Sequence, residues 1–350
     1  MNRIFSALLA AGVLFSGACR AQERVPVVRH AEGEQTLLLS KSEAGEAVLQ
    51  DRYDRFFDRI TPAELSIQWK KPLADFDEFD QEKAQFENFL KSDMDDFTPG
   101  ESAWVAEIMG EVYTLVESVF PGLYPDKVWL AKTKARHYGE SVYYTRGEGI
   151  VIPYDALEDR NEAAFRTTML HELFHVYSRL HPEKRKELYA LIGFESIGYN
   201  NLILPGKLSE RLLHNPDGVD FAQKIDLRQA DSAVISAIPV IYANQDGYQP
   251  AVKEFFGYLE FALFPVEKDK KGKWLVKTNA DGLSSPIDLR TQPDFFRQIR
   301  DNTSYIIHPD EILADNFAFI VESKRDPGVT ARFSENGKAL LQAIEAVLKK

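Results

Sequence analysis

The segment His171-Glu172-Leu173-Phe174-His175 has the clearest capacity for chemistry in this chain. On a helix, positions i and i+4 share a face one turn apart, so the two imidazoles project together. Both can then reach one Zn²⁺ at about 2.0–2.1 Å. Glu172 lies beside the pair, placed to take a proton from metal-activated water rather than to bind the metal. As a general base it would pass that proton to the leaving group. Leu170, Leu173, Phe174 and Tyr177 can bury around the two histidines.

A catalytic zinc needs a third protein ligand and an open position. Glu311 and Asp315 stand i and i+4 on an expected helix, hence on one face. Glu195 follows His175 by 20 residues, just after Gly193, where a helix should end, and four residues later stands Tyr199. The remaining histidines have plainer readings. His308 adjoins Pro309, His181 precedes Pro182, and His214 sits in the turn-like His214-Asn215-Pro216-Asp217-Gly218. His137, Tyr144 and Arg146 lie near an expected edge strand. Tyr242, Tyr248 and Tyr305 are candidate oxyanion donors that the sequence does not separate. The lysines from Lys268 to Lys273 read as a solvated hairpin tip.

HExxH followed by a helix bearing ExxxD resembles the gluzincin zinc metallopeptidases, the thermolysin-like class. The resemblance covers these two motifs and extends to the Tyr143–Pro153 region. It implies that Glu311 completes the ligand set with His171 and His175. It also implies that Asp315 hydrogen-bonds one of the two ligand imidazoles, fixing its tautomer. The chain departs from the family in spacing. The family places its Glu about twenty residues after the second His, whereas Glu311 follows His175 by 136. Long loops close at slowly growing entropic cost, so a large insertion between the two helices is physically allowed. Glu195, at the shorter spacing, is the alternative ligand.

The elements that must position these groups follow from periodicity and punctuation. Asp159 or Asn161 can cap a long helix running through Arg179, and His181-Pro182 breaks it. A second helix runs from Pro182 to Leu191 and ends near Gly193. Before them, Val128–Ala131, Ser141–Arg146 and Gly149–Pro153 read as short strands. Residues 22 to about 35 are polar and are expected to be loose, and Ser42–Phe120 is mostly helical in pattern. Strand-like runs at Ser232–Tyr242, Phe256–Val266 and Lys273–Thr278 define a β-rich insert at about 220–285. Helices return at Gln292–Arg300, Asp310–Glu322 and Gly337–Leu348. The expected class is α+β. The resemblance adds a zincin-like core of a small mixed sheet and active-site helices. The expected division is a signal peptide (1–21), a helical N-terminal region (22–120) and a catalytic domain (121–350).

Composition narrows the function. The 350 residues carry a formal charge of −12, which argues against a nucleic-acid partner. A single cysteine excludes an intrachain disulfide and any zinc framework built on two cysteines. Met1-Asn2-Arg3, the apolar run Ile4–Phe15 and the small residues after it form a secretory signal pattern. Cleavage after Ala21 predicts export, periplasmic or secreted. Ser16-Gly17-Ala18-Cys19 loosely resembles a lipobox and offers Cys19 as a lipid anchor. No other run suits a transmembrane segment. The sequence therefore leads to a secreted zinc metallopeptidase acting on peptides or proteins. A zinc hydrolase of non-peptide amides and a non-catalytic zinc-binding module are the alternatives. The intact Glu172 favours an enzyme.

Overall fold

The computed structural model describes residues 27–350. The apolar leader, its cleavage site and Cys19 lie outside the described residues. Two mixed sheets and flanking helices make an α+β protein.

The first sheet contains β1 (Val27–Arg29), β2 (Gln35–Leu38), β3 (Met94–Asp95), β4 (Lys127–Thr133), β5 (Tyr144–Arg146) and β6 (Gly149–Pro153). The order is β1-β2-β4-β6-β5, with β3 paired to the end of β4. β2, β4 and β6 run parallel, and β5 closes the edge antiparallel to β6. Parallel strands are covered on both faces, which explains the continuous apolar runs in β4 and β6. Val128, Leu130, Ile150 and Ile152 enter one core; Trp129, Ala131 and Val151 enter another on the opposite face. The stretch expected to be loose supplies β1 and runs into the start of β2. β1 is a three-residue edge strand, too short to show a period, and β2 gains its order from pairing Gln35–Leu38 with Lys127–Leu130. The mostly helical stretch in turn feeds β3 into the same sheet, against the end of β4.

The second sheet holds β7 (Phe194–Ser196), β8 (Leu202–Ile203), β9 (Gln223–Arg228), β10 (Val234–Ala243), β11 (Leu259–Lys268) and β12 (Trp274–Val276), in the order β7-β9-β10-β11-β12-β8. It begins earlier than the expected insert. In β9, Ile225 and Leu227 alternate with polar residues and are buried.

The helices that build the site and its support are α1 (Pro62–Trp69), α2 (Phe79–Asp93), α3 (Pro99–Val119), α4 (Glu162–Leu180), α5 (Pro182–Leu191), α6 (Pro309–Glu322) and α7 (Glu335–Leu348). Asn161 caps α4 by accepting the Ala164 amide. His181 ends it, and Pro182 opens α5 at a position where its missing N–H costs nothing. Gly193, with φ +84°, turns the chain into β7. α6 lies along α4 through Leu170, Leu173 and Phe174 against Ile312, Leu313 and Phe317. The Phe174 and Phe317 rings are 5.6 Å apart. Full burial of each such side chain stabilises by roughly 1.5–3 kcal/mol, so this seam holds the two helices in one register. Among the described residues no helix is long and apolar enough to cross a membrane.

Candidate metal centre

The α4–α6 seam ends in a polar cluster. His171 and His175 project from α4 with ring centroids 4.7 Å apart. Glu311, in the first turn of α6, faces both: its Oε2 is 3.0 Å from His171 Nε2 and 3.3 Å from His175 Nε2. Donors bound tetrahedrally to an ion at about 2.0–2.1 Å stand roughly 3.3 Å apart, so these separations suit the edges of a zinc tetrahedron.

The rear of each imidazole is held by another carboxylate from α6. Asp315 Oδ1 is 2.8 Å from His171 Nδ1, and Asp310 Oδ2 is 2.7 Å from His175 Nδ1. Asp310 is fixed in turn by Ser178 Oγ at 2.6 Å and the Tyr189 hydroxyl at 2.8 Å. The Thr303 hydroxyl donates to Asp315. Carboxylates behind the rings favour the Nδ1–H tautomer and leave both Nε2 lone pairs facing Glu311. Asn215 Nδ2 donates to Glu311 Oε1 at 2.5 Å, which turns Oε2 toward the histidines. His175 Nε2 and Glu172 Oε2 are buried with no hydrogen-bond partner among the described residues. Buried polar atoms are rarely left so, and both are accounted for if the place between them holds an ion and a water. The residues present therefore fit zinc.

Electrostatics follow from burial and mutual charge. Burial alone would depress His171, but hydrogen bonds to Asp315 and Glu311 outweigh it and lift the metal-free imidazole to about 10. His175 is likewise raised, burial being outweighed by Glu311 and Asp217. Glu311 is held well below the ordinary range because the two imidazoles overcome its desolvation. Glu172 moves the other way, to about 8, first through burial and then through the charge of Asp217.

A cleft of about 300 Å³ opens onto this cluster, with Tyr143, His171, Glu172, Asp217, Phe256 and Tyr305 among its walls. Among the described residues two groups of three have metal-binding geometry: His171, His175 and Glu311, and Glu172, His175 and Asp217. They share His175, whose Nδ1 is taken by Asp310, so a single Nε2 can serve one ion. The first group has both histidines and the better-supported geometry.

The alternative ligand Glu195 is not brought to the histidines. It lies on edge strand β7 with its side chain 71% exposed, 3.6 Å from Lys224 Nζ. The helix that would have carried it ends at Leu191, and the chain has already turned. His308 caps α6 by accepting the Asp310 amide, with Nε2 on the Asp220 carbonyl. His214 pairs with buried Glu64, His137 with Asp93, and His181 with the Tyr177 carbonyl. Tyr144 and Arg146 are both buried, with the Arg146 guanidinium over Phe56. Of Tyr242, Tyr248 and Tyr305, Tyr305 is the one on the cleft wall, its ring stacked 6.1 Å from His171.

Three polar residues of the site are not singled out by sequence reasoning: Asp310, Asn215 and Asp217. Asp310 is masked by its neighbour Glu311. The other two sit in what reads as a turn, and Asn215 and Gly218 do form an isolated bridge there. Gly218 is required at that point, because a Cβ would meet the His308 ring at 2.3 Å. A signal was present in the density of polar side chains around Pro216, which exceeds what a two-residue reversal needs. Comparison with known proteins gives no match to any family model, curated protein or solved structure.

Proposed function

We propose that the protein is an exported zinc metallopeptidase of the gluzincin type, with β4–β6, α4 and α6 as a zincin-like core. The observation that carries this reading is the convergence of His171 Nε2, His175 Nε2 and Glu311 Oε2, with Asp315 and Asp310 behind the rings. His171, His175 and Glu311 would hold a zinc ion, which would supply Lewis-acid polarisation of the scissile carbonyl and of water. Glu172, beside them and without a partner at Oε2 among the described residues, accepts the proton of the attacking water and delivers it to the leaving amine. Asp310 and Asp315 keep the Nδ1 protons in place, and Asn215 holds Glu311 in its productive rotamer. Export rests on the leader sequence.

Metal analysis of the purified mature protein tests the reading, together with turnover of a quenched-fluorescent peptide library. One zinc per chain is expected, with hydrolysis abolished by a chelator and restored by added zinc. A metal-free native preparation, or hydrolysis indifferent to chelation, overturns it.

A further inference from the structure

We propose that Asp217 receives the α-ammonium group of the substrate, so that the enzyme takes peptides by a free N-terminus. This inference rests on the metallopeptidase reading and specifies its substrate class.

The Asp217 carboxylate is built into the cleft wall. Its Oδ1 accepts the Thr145 amide at 2.6 Å and the Thr145 hydroxyl at 2.7 Å, both from β5. Its backbone carbonyl and that of Pro216 accept from the Arg179 guanidinium. His214, three residues earlier, is anchored by buried Glu64 at its amide and its Nδ1. The loop is therefore fixed from three sides, while Oδ2 makes no hydrogen bond among the described residues and the side chain lines the cleft. Glu172, 5% exposed, turns an equally unpartnered Oε2 into the same space. The site thus presents two carboxylate oxygens without a donor, of which the attacking water takes Glu172 Oε2 and leaves Asp217 Oδ2.

Charge and walls agree on the missing group. Among the described residues no lysine or arginine lines the cleft, whereas Glu172, Asp217, Glu311 and Asp315 all do. A divalent ion with neutral imidazoles offsets Glu311 and one further carboxylate, and the remainder still favours a cation. The aromatic rings of Tyr143, Phe256 and Tyr305 border the same space, and their faces attract an ammonium.

Distance selects which ammonium. One oxygen of Asp217, one of Glu172 and one ring nitrogen of His175 lie within 4.8 Å of one another. Asp217 is thus adjacent to the reacting carbonyl. The α-nitrogen of a terminal residue is two bonds from that carbonyl carbon, while a lysine ε-nitrogen is six bonds away. The α-ammonium is the cation that fits so short a reach.

The test is a binding measurement, separable from turnover. Titration calorimetry is run on protein of measured zinc content carrying Glu172→Gln to prevent hydrolysis, with and without Asp217→Asn. The probes are alanyl-phenylalaninamide, its N-acetyl form, and N-acetyl-lysine methylamide. With Asp217 intact, the free-amine dipeptide is expected to bind about tenfold or more tighter than the acetylated one, the difference a charged hydrogen bond supplies. In Asp217→Asn, which keeps an acceptor for Thr145, the ratio falls toward one with zinc content and melting temperature unchanged. A ratio near one with Asp217 intact overturns the proposal whatever the variant does. So does a ratio retained in Asp217→Asn, or N-acetyl-lysine methylamide binding as tightly as the free dipeptide. A protein that discriminates the free amine yet holds no zinc would count against the metallopeptidase reading and not against Asp217.

Discussion

Asp310 Oδ2 lies 2.7 Å from His175 Nδ1, while the next residue, Glu311, stands 3.3 Å from Nε2 of the same ring. Two consecutive residues thus address the two nitrogens of one imidazole. This works because α6 meets α4 at its own first turn, where acids are also favoured by the positive end of the helix dipole. Four residues after Glu311, Asp315 does for His171 what Asp310 does for His175. One helix therefore supplies both the proposed third ligand and the partners of the two proposed histidine ligands.

The two partner carboxylates should differ in what else they support. Asp310→Ala leaves Ser178 Oγ, the Tyr189 hydroxyl and His175 Nδ1 without a buried acceptor, which costs about 1–3 kcal/mol for each such group. Asp315 borders the cleft and its loss leaves groups that water can reach. Both alanine variants should lose roughly 10- to 100-fold in zinc affinity. Only Asp310→Ala should also lower the melting temperature of the metal-free protein. Chelator competition and thermal melts on both variants check this, and matching melts would refute the distinction.

Glu172→Gln should retain zinc and fold yet lose roughly 10²–10⁴ in hydrolysis rate. The amide is nearly isosteric and cannot accept the proton at neutral pH. Steady-state rates at matched zinc occupancy decide the point; near-normal turnover removes Glu172 from its role.

The metal-free protein should be pH-sensitive in a defined window. His171 is raised from 6.5 to about 10, so its stabilising charge is fully present below about 6.5 and is lost as pH rises toward 10. Glu311 is depressed, so its contribution is present above its ordinary value and lost as pH falls in the acid range. The melting temperature of the chelated protein should therefore decline from pH 6.5 to 10, with a flatter profile for the zinc-loaded form. Because zinc must displace the His171 proton, binding should release protons near neutrality. Calorimetry in buffers of different ionisation enthalpy counts them, and a count of zero contradicts the assignment.

Local features were legible because they are local. The i, i+4 histidines, the Asn161 cap, the Pro182 break and the Gly193 turn all depend on residues within a few positions of each other. The pairing of Glu311–Asp315 with a motif 136 residues upstream reached the sequence reading only through a resemblance. β2 escaped because its order comes from β4, almost a hundred residues on, and β1 because it is a three-residue strand that pairs only with β2. Asn215 and Asp217 escaped for a related reason. Their turn-forming composition is real, but what they face is set by Glu64, Thr145 and Arg179, which come from α1, β5 and α4.

The proposed third ligand can be separated from its competitor, and its holder tested at the same time. Glu311 is 1% exposed and faces both imidazoles, whereas Glu195 is solvated on β7 beside Lys224. Glu311→Ala should remove tight zinc binding, and Glu195→Ala should leave it unchanged. Asn215 adds a graded case. Its Nδ2 fixes Glu311 Oε1, so Asn215→Ala frees the carboxylate to rotate and should weaken zinc roughly tenfold or more. Asn215→Asp replaces that donor with a like charge against Glu311, which disfavours the ionised pair and should weaken binding further. Chelator competition across the four variants gives the expected order: Glu195→Ala tightest, then Asn215→Ala, then Asn215→Asp, with Glu311→Ala weakest. Loss of zinc in Glu195→Ala with retention in Glu311→Ala would return the site to the short spacing. Undiminished affinity in Asn215→Asp would show that the loop does not hold the ligand.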